Sequence, residues 1–191
     1  MGQPPLTLWR WSRNEYEDLV SQGVFAGHPV ELIAGQLVVA EPQGSCHATA
    51  VGTVDDALRA LLPPGFIVRA QMPVALDDDS EPEPDVAVVR GTRADYRDSH
   101  PGRPVLVLEV SDSSLEFDRH DKGSLYARGG VRDYWIVNLI DRVLEVHREP
   151  TPDQTAPHGW RYWSIETFRA PAVVAPLELP SVRILVSTLL P

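Results

Sequence analysis

Pro84-Asp85-Val86-Ala87-Val88-Val89, then Val105-Leu106-Val107-Leu108-Glu109-Val110, then Asp118-Arg119-His120-Asp121-Lys122: the reading of the chain turns on these three runs. The first two are short apolar strands, each carrying one carboxylate. Strand 105–110 is apolar on both alternating faces except at Glu109, which places it inside a sheet covered on both sides. The third run reads as the start of a helix over 119–128, ended by Gly129-Gly130. Asp85, Glu109 and Lys122 therefore lie on three different elements, and the expectation is that they meet.

Each of the three also has a plainer explanation. A carboxylate within an apolar strand costs free energy unless it is paired, hydrogen-bonded or bound to metal; Glu109 could instead be a strand-end acid that reaches water or an arginine. Asp85 follows a proline and, taken alone, reads more readily as a turn acid. Lys122 falls in the first turn of its expected helix, where the macrodipole prefers anions. Such local conflicts gather at functional sites, although a lysine paired with Asp118 or Asp121 would account for it too. Taken together the set says more. Two carboxylates are hard oxygen donors suited to Mg²⁺ or Mn²⁺. A neighbouring lysine can orient a water and offset developing negative charge. With a metal that polarises a phosphoryl oxygen, this is the minimum equipment for phosphodiester hydrolysis.

The flanks add a frame. Ser12-Arg13-Asn14-Glu15 fits a capping box and predicts a helix over 13–22. Val30–Ile33 and Gln36–Val39 flank Ala34-Gly35 as a tight hairpin. Ser45 is expected to cap a second helix through Leu62, with Val51, Val54, Leu58 and Leu61 on one face. Phe66–Val74 reads as a strand or strand pair, and Asp77–Glu83 as a solvated acidic loop. Asp133–Val137 and Arg142–His147 read as further strands. A polar loop over 150–159, a strand near 161–164 and an edge strand over 182–186 complete the chain. One α+β domain over 1–191, a mixed sheet flanked by helices, is the simplest reading.

Bulk properties exclude several classes. The chain has 191 residues, 43% of them apolar, and a net charge of −10. That charge gives no global attraction to nucleic acid or to anionic membranes. No apolar run approaches the roughly 20 residues of a membrane span, and the N-terminus has no signal-peptide pattern. Cys46 is the only cysteine, so no internal disulfide forms and a reducing cytoplasm is the expected setting.

The ordered series Pro84–Val89, Pro104–Ser111, Asp118-x-x-x-Lys122-x-x-x-Tyr126 and Gly130–Val137 resembles the Uma-two family. That family is assigned to the PD-(D/E)xK restriction-endonuclease-like superfamily. Glu31–Gly35 and His47 resemble it too, and the likeness spans about residues 30 to 148. The resemblance implies a restriction-endonuclease-like core with Asp85 and Glu109 as metal ligands on adjacent strands. Glu31 would be a further acid near the metal, from the first hairpin. The superfamily lysine usually lies two residues after the second acid; here that position is Ser111. Lys122 would supply the charge from the following helix. The family often has Asp where this chain has Ala34 and Asn138.

The implied activity is a Mg²⁺- or Mn²⁺-dependent endonuclease cutting DNA, with a homodimer expected by analogy of fold. His47, Arg90, Arg93 and Tyr126 are candidate substrate contacts. For His47, packing at a helix start is the alternative. For Tyr126 it is core packing, and for the arginines, joined by Arg97 and Arg103, solvated loop charge. A nuclease-like module without catalysis is the competing reading, and a hydrolase of another phosphate ester is a third.

Overall fold

The computed structural model describes residues 7–39 and 43–191. Its centre is a six-stranded sheet in the order β3-β4-β5-β6-β7-β8. The strands are β3 (Phe66–Ala70), β4 (Val86–Arg90), β5 (Leu106–Ser111), β6 (Asp133–Asn138), β7 (Val143–Pro152) and β8 (Trp160–Phe168). Only β5 and β6 run parallel; the other neighbours are antiparallel. The sheet is mixed, as expected, and the fold is α+β. A parallel pair needs a crossover, and residues 112–132 make it. They form α3 (Leu115–Phe117), a wide π-type turn (Asp118–Lys122) and α4 (Gly123–Arg128).

Alternation along β5 assigns its residues to two cores. Leu106, Leu108 and Val110 face a layer built by α2 (Ser45–Leu61) and the C-terminal segment, including Val54, Leu58, Ile184 and Leu189. Val107 faces the other way, with Ala87, Tyr134 and Ile136, toward Leu125 and Tyr126 of α4. With period two, Glu109 and Ser111 share the α4 face. The acid of the central strand is thereby aimed at the helix that carries Lys122.

Helix α1 (Arg13–Ser21) starts at the expected capping box, with Ser12 and Glu15 bonded reciprocally. β1 (Val30–Ile33) and β2 (Gln36–Val39) form the expected hairpin. Its turn needs two positive φ values, +48° at Ala34 and +76° at Gly35. A Cβ at Gly35 would also come within 2.9 Å of Arg10 Cβ. The hairpin docks on the 77–83 loop through Glu81 N to Leu32 O, 2.8 Å.

Several expectations are corrected. The helical segment begins at Leu115, not 119, because Asp118 bonds back to Ser114 through both main chain and side chain. Lys122 therefore lies mid-segment, and no conflict with a helix dipole exists. Gly44, not Ser45, is the N-cap of α2, and Leu61 is 43% exposed. The strand after Phe66 ends at Ala70. The acidic loop is only partly solvated: Asp78 is exposed, but Arg128 binds Asp77 and Asp79, and Glu81 is buried. The expected 150–159 loop is shorter, since β7 continues to Pro152 and pairs with β8 in one unbroken register on both sides of Glu149, whose φ is +62°. At the C-terminus only β10 (Ile184–Leu185) is a strand, paired with β9 (Val173–Val174) apart from the main sheet.

Candidate active site

The register Val86↔Leu108, continued by one residue, sets Asp85 opposite Glu109. Two carboxylates directly opposed should repel. They are held by backbone amides: Asp85 N donates to Glu109 Oε2 at 3.0 Å, and Val110 N donates to Asp85 Oδ2 at 2.8 Å. Both side chains are buried, Glu109 at 2% exposure. Glu109 Oε1 accepts from Lys122 Nζ at 3.0 Å and from Tyr126 Oη at 2.7 Å. Asp85 Oδ1 lies 3.1 Å from His47 Nε2. Residues from the entry to β4, from β5, the π turn, α4 and the start of α2 thus converge.

Glu31 reaches the same place from the hairpin. Its Oε2 accepts from Glu83 N at 3.0 Å. A cavity of about 520 Å³ opens here. Glu31, Glu83, Asp85, Glu109, Asp112 and Asp118 line it, against Lys122 and His47 as the basic groups. Six carboxylates facing two basic groups leave the cavity short of positive charge. Burial pushes the Glu109 carboxyl up to about 8, against the pull of Lys122 and with Asp85 adding to the rise. Burial likewise raises Glu83 and Asp118. Burial alone would lower the Lys122 ammonium, but Glu109, Glu31 and Asp118 hold it well above its ordinary value. The hydrogen bond to Asp85 raises His47. The carboxyl shifts come first from burial, and those of Lys122 and His47 from the acids beside them.

Among the described residues no three His, Cys, Asp or Glu side chains converge closely enough to enclose a metal by themselves. Mg²⁺ does not need such a cage; it is usually held by one or two carboxylates, with waters and substrate phosphate completing its shell. The donor chemistry fits that mode. Asp85 and Glu109 are hard oxygen donors held rigid by amides, in a cavity with excess acid.

The other candidates are placed differently. Tyr126 is fully buried behind Glu109; it orients that carboxylate and is shielded from any substrate. Arg90 does not reach the cavity. It lies at the far end of β4 from Asp85, about 16 Å along the strand, where it pairs with Glu178 and covers the Phe66 ring. Arg93 begins the exposed 3-10 turn Arg93–Tyr96, also outside the cavity, as are Arg97 and Arg103.

Asp118 and Ser111 were missed as site residues. Asp118 Oδ2 accepts from Ser111 Oγ at 2.7 Å and Ser114 Oγ at 2.6 Å. The position that carries lysine in the usual superfamily pattern thus holds a second acid in place. The spacing Asp118-x-x-x-Lys122 was visible and puts both residues on one side of a helical segment, but nothing in the sequence showed that this side faces Glu109. Glu83 and Asp112 had no distinguishing signal.

The Uma2 family, described as "Putative restriction endonuclease", matches residues 13–184. The chain belongs to the Uma2 family. Membership supports a nuclease, and the match extends the motif series to α1 and to the C-terminal strand. A solved structure of "a putative nuclease belonging to DUF820" from Anabaena variabilis has 16% identity and a TM-score of 0.61. The alignment covers 84% of this chain and 88% of that one. At that identity the likeness shows the fold, here a restriction-endonuclease-like one. No curated protein matches the chain. No helix of the described residues is long and apolar enough to cross a membrane.

Proposed function

We propose that this Uma2 protein is a Mg²⁺- or Mn²⁺-dependent endonuclease that hydrolyses phosphodiester bonds of DNA. The observation that carries the reading is the interlock of Asp85 and Glu109, Glu109 accepting from the Asp85 amide and Asp85 from the Val110 amide, with Lys122 Nζ 3.0 Å from Glu109. Asp85 and Glu109 would hold the metal, with Glu31 in support. The metal would supply polarisation of a phosphoryl oxygen and acidification of a bound water. Lys122 positions the attacking water and offsets charge as the 3′-oxygen leaves, so a 5′-phosphate remains. Tyr126 and the Val110 amide keep the two carboxylates from turning. His47, bonded to Asp85, stands at the cavity wall as a phosphate contact. Cutting both strands of a duplex would need two copies, by analogy with the fold.

The test is cleavage of varied DNA with Mg²⁺ or Mn²⁺ by the pure protein, beside Asp85→Ala and Lys122→Ala. Activity in the parent and loss in both variants is expected. Equal cleavage by all three would mean a contaminant.

One observation favours a second reading, a nuclease-like binding module without catalysis. The net charge is −10, and the Arg90–Arg103 group lies away from the acid cavity, so that group does not lead DNA to it. Calorimetric titration with Mn²⁺ separates the two. Micromolar binding lost in Glu109→Ala supports the enzyme; absence of binding even with DNA present supports the module.

A further inference from the structure

The π turn has two sides. Lys122 and Asp118 face the acid cavity, while Arg119 and His120 line a second cavity of about 580 Å³ between the turn and strands β7 and β8. That volume suits a small organic ligand. The two cavities share one face of the sheet. They are set apart by the two strand spacings from β5 to β7, on the order of 10 Å.

The second cavity is built differently from the first. Its floor carries His147, 3% exposed, whose Nε2 has no hydrogen-bond partner among the described residues. That nitrogen lies 3.5 Å from Glu145 Oε2, at ion-pair distance when the ring is protonated but outside hydrogen-bond geometry. Glu145 is already engaged: Arg119 binds it in a fork, Nε to Oε2 at 3.0 Å and a terminal nitrogen to Oε1 at 2.6 Å, and Asn138 adds a third bond. The fork locks the guanidinium plane at the cavity wall. A rigid guanidinium face and the Trp160 ring are surfaces on which flat aromatic groups stack. Tyr162 and Ile165 supply further apolar wall.

We propose that this cavity takes the unstacked base of a nucleotide, with His147 Nε2 hydrogen-bonded to the base edge. A planar group fits stacking walls, and every base edge carries both donors and acceptors, so either tautomer of His147 finds a match. Stacking on the guanidinium and the indole tolerates any base. Placed beside the acid cavity, the pocket would hold a neighbouring nucleotide of the strand being cut; in that role the proposal rests on the nuclease reading, but base binding itself does not.

The test is calorimetric titration, in EDTA, of the full chain with the four deoxynucleoside 5′-monophosphates and with deoxyribose 5-phosphate as the control without a base. Binding of the monophosphates and not of the control is expected. His147→Phe, which keeps the ring volume but not the nitrogen, should weaken binding about tenfold. Ala156→Trp, on the turn at the cavity rim and outside the core, should abolish it if the pocket is the site. Arg59→Gln, in an exposed pair with Asp55 on α2 and outside both cavities, should leave it unchanged. Equal binding of the sugar phosphate, binding unaffected by Ala156→Trp, or binding lost with Arg59→Gln would each overturn the proposal. Because no metal or cleavage is involved, a chain that binds bases but cuts no DNA refutes only the nuclease reading.

Discussion

Glu109 and Asp133 are both carboxylates on interior strands, at 2% and 0% exposure, yet their surroundings are opposites. Asp133 is met by donors alone: Trp135 Nε1 at 2.7 Å, Arg148 Nε at 2.8 Å and Leu177 N at 2.7 Å. Its knot ties β6 to β7 and to the C-terminal segment. Glu109 has donors as well, but it shares them with a crowd of other acids. Burial of a carboxylate therefore says little about its role. What distinguishes the two is whether the neighbourhood balances the charge. A balanced acid holds the fold; an acid in surplus is poised for a cation, and its stability cost is the kind that binding sites retain.

The sharpest break of that comparison is in activity. Glu109→Gln keeps shape and removes charge. It should cut the rate of metal-dependent DNA cleavage at least about a thousandfold, near 4 kcal/mol of barrier. Its folding stability should stay within about 1 kcal/mol of the parent, or exceed it. Lys122 is not stranded by the change, because Glu31 and Asp118 remain near it. Cleavage kinetics and urea unfolding on the same preparation decide it. A variant that loses stability and activity together would make Glu109 a second Asp133.

Asp133→Ala should do the reverse. It leaves an indole N–H and a backbone amide without acceptors and Arg148 without its ion pair. A loss of about 3 kcal/mol in urea unfolding is expected, with cleavage per folded molecule unchanged. A loss below about 1 kcal/mol would show that water replaces the carboxylate, and the knot would not be structural.

How far this contrast was legible in the sequence differs by residue. Asp85, Glu109 and Lys122 stood out because each broke a local pattern, and the chain folds so that all three touch. The hairpin, α1 and the mixed sheet followed from periodicity and turn chemistry; which two strands run parallel did not. Asp133 carried no signal: an acid at a strand start looks exposed, and its three donors come from residues 135, 148 and 177. The acidic loop misled for the same reason. Its compensating Arg128 lies about 50 residues away, and charge balance across such separations is a product of tertiary packing. The π turn was hidden as well, because an i→i+5 hydrogen bond leaves no mark in the periodicity.

Titration sharpens the comparison further. In the unfolded chain Glu109 titrates near the ordinary glutamate value, about 4.3; in the folded chain burial raises it to about 8. Between those values the folded state holds a proton that the unfolded state has released. Its contribution is present at low pH and is lost as pH rises from about 5 to 8. The parent should therefore lose more stability than Glu109→Gln over that window. Glu81, raised to about 8 by burial and by Glu17, has the same sign but is common to both proteins and cancels. Metal competes for the same charge, so Mn²⁺ affinity should rise over the same range. Parallel pH curves for parent and variant would mean that Lys122 keeps Glu109 ionised throughout.

The smallest effect belongs to a third arrangement, intermediate between the other two. Arg128 donates to Asp77 Oδ2 at 2.8 Å and to Ser80 Oγ at 2.8 Å, and also binds Asp79, clasping the 77–83 loop to the end of α4. Its side chain is 24% exposed and those of Asp77 and Asp79 more so. Water and salt share the work of compensating these charges. Arg128→Met keeps most of the apolar stem and removes the fork. It should cost about 1 kcal/mol in urea unfolding, well under the Asp133 effect, and the cost should shrink as salt is raised. Cleavage should hold, because Glu31 is anchored separately through Glu83 N. A drop in cleavage matching the Glu31→Gln variant would instead make the clasp the device that seats the hairpin at the acid cavity, and the loop would count with the site rather than with the scaffold.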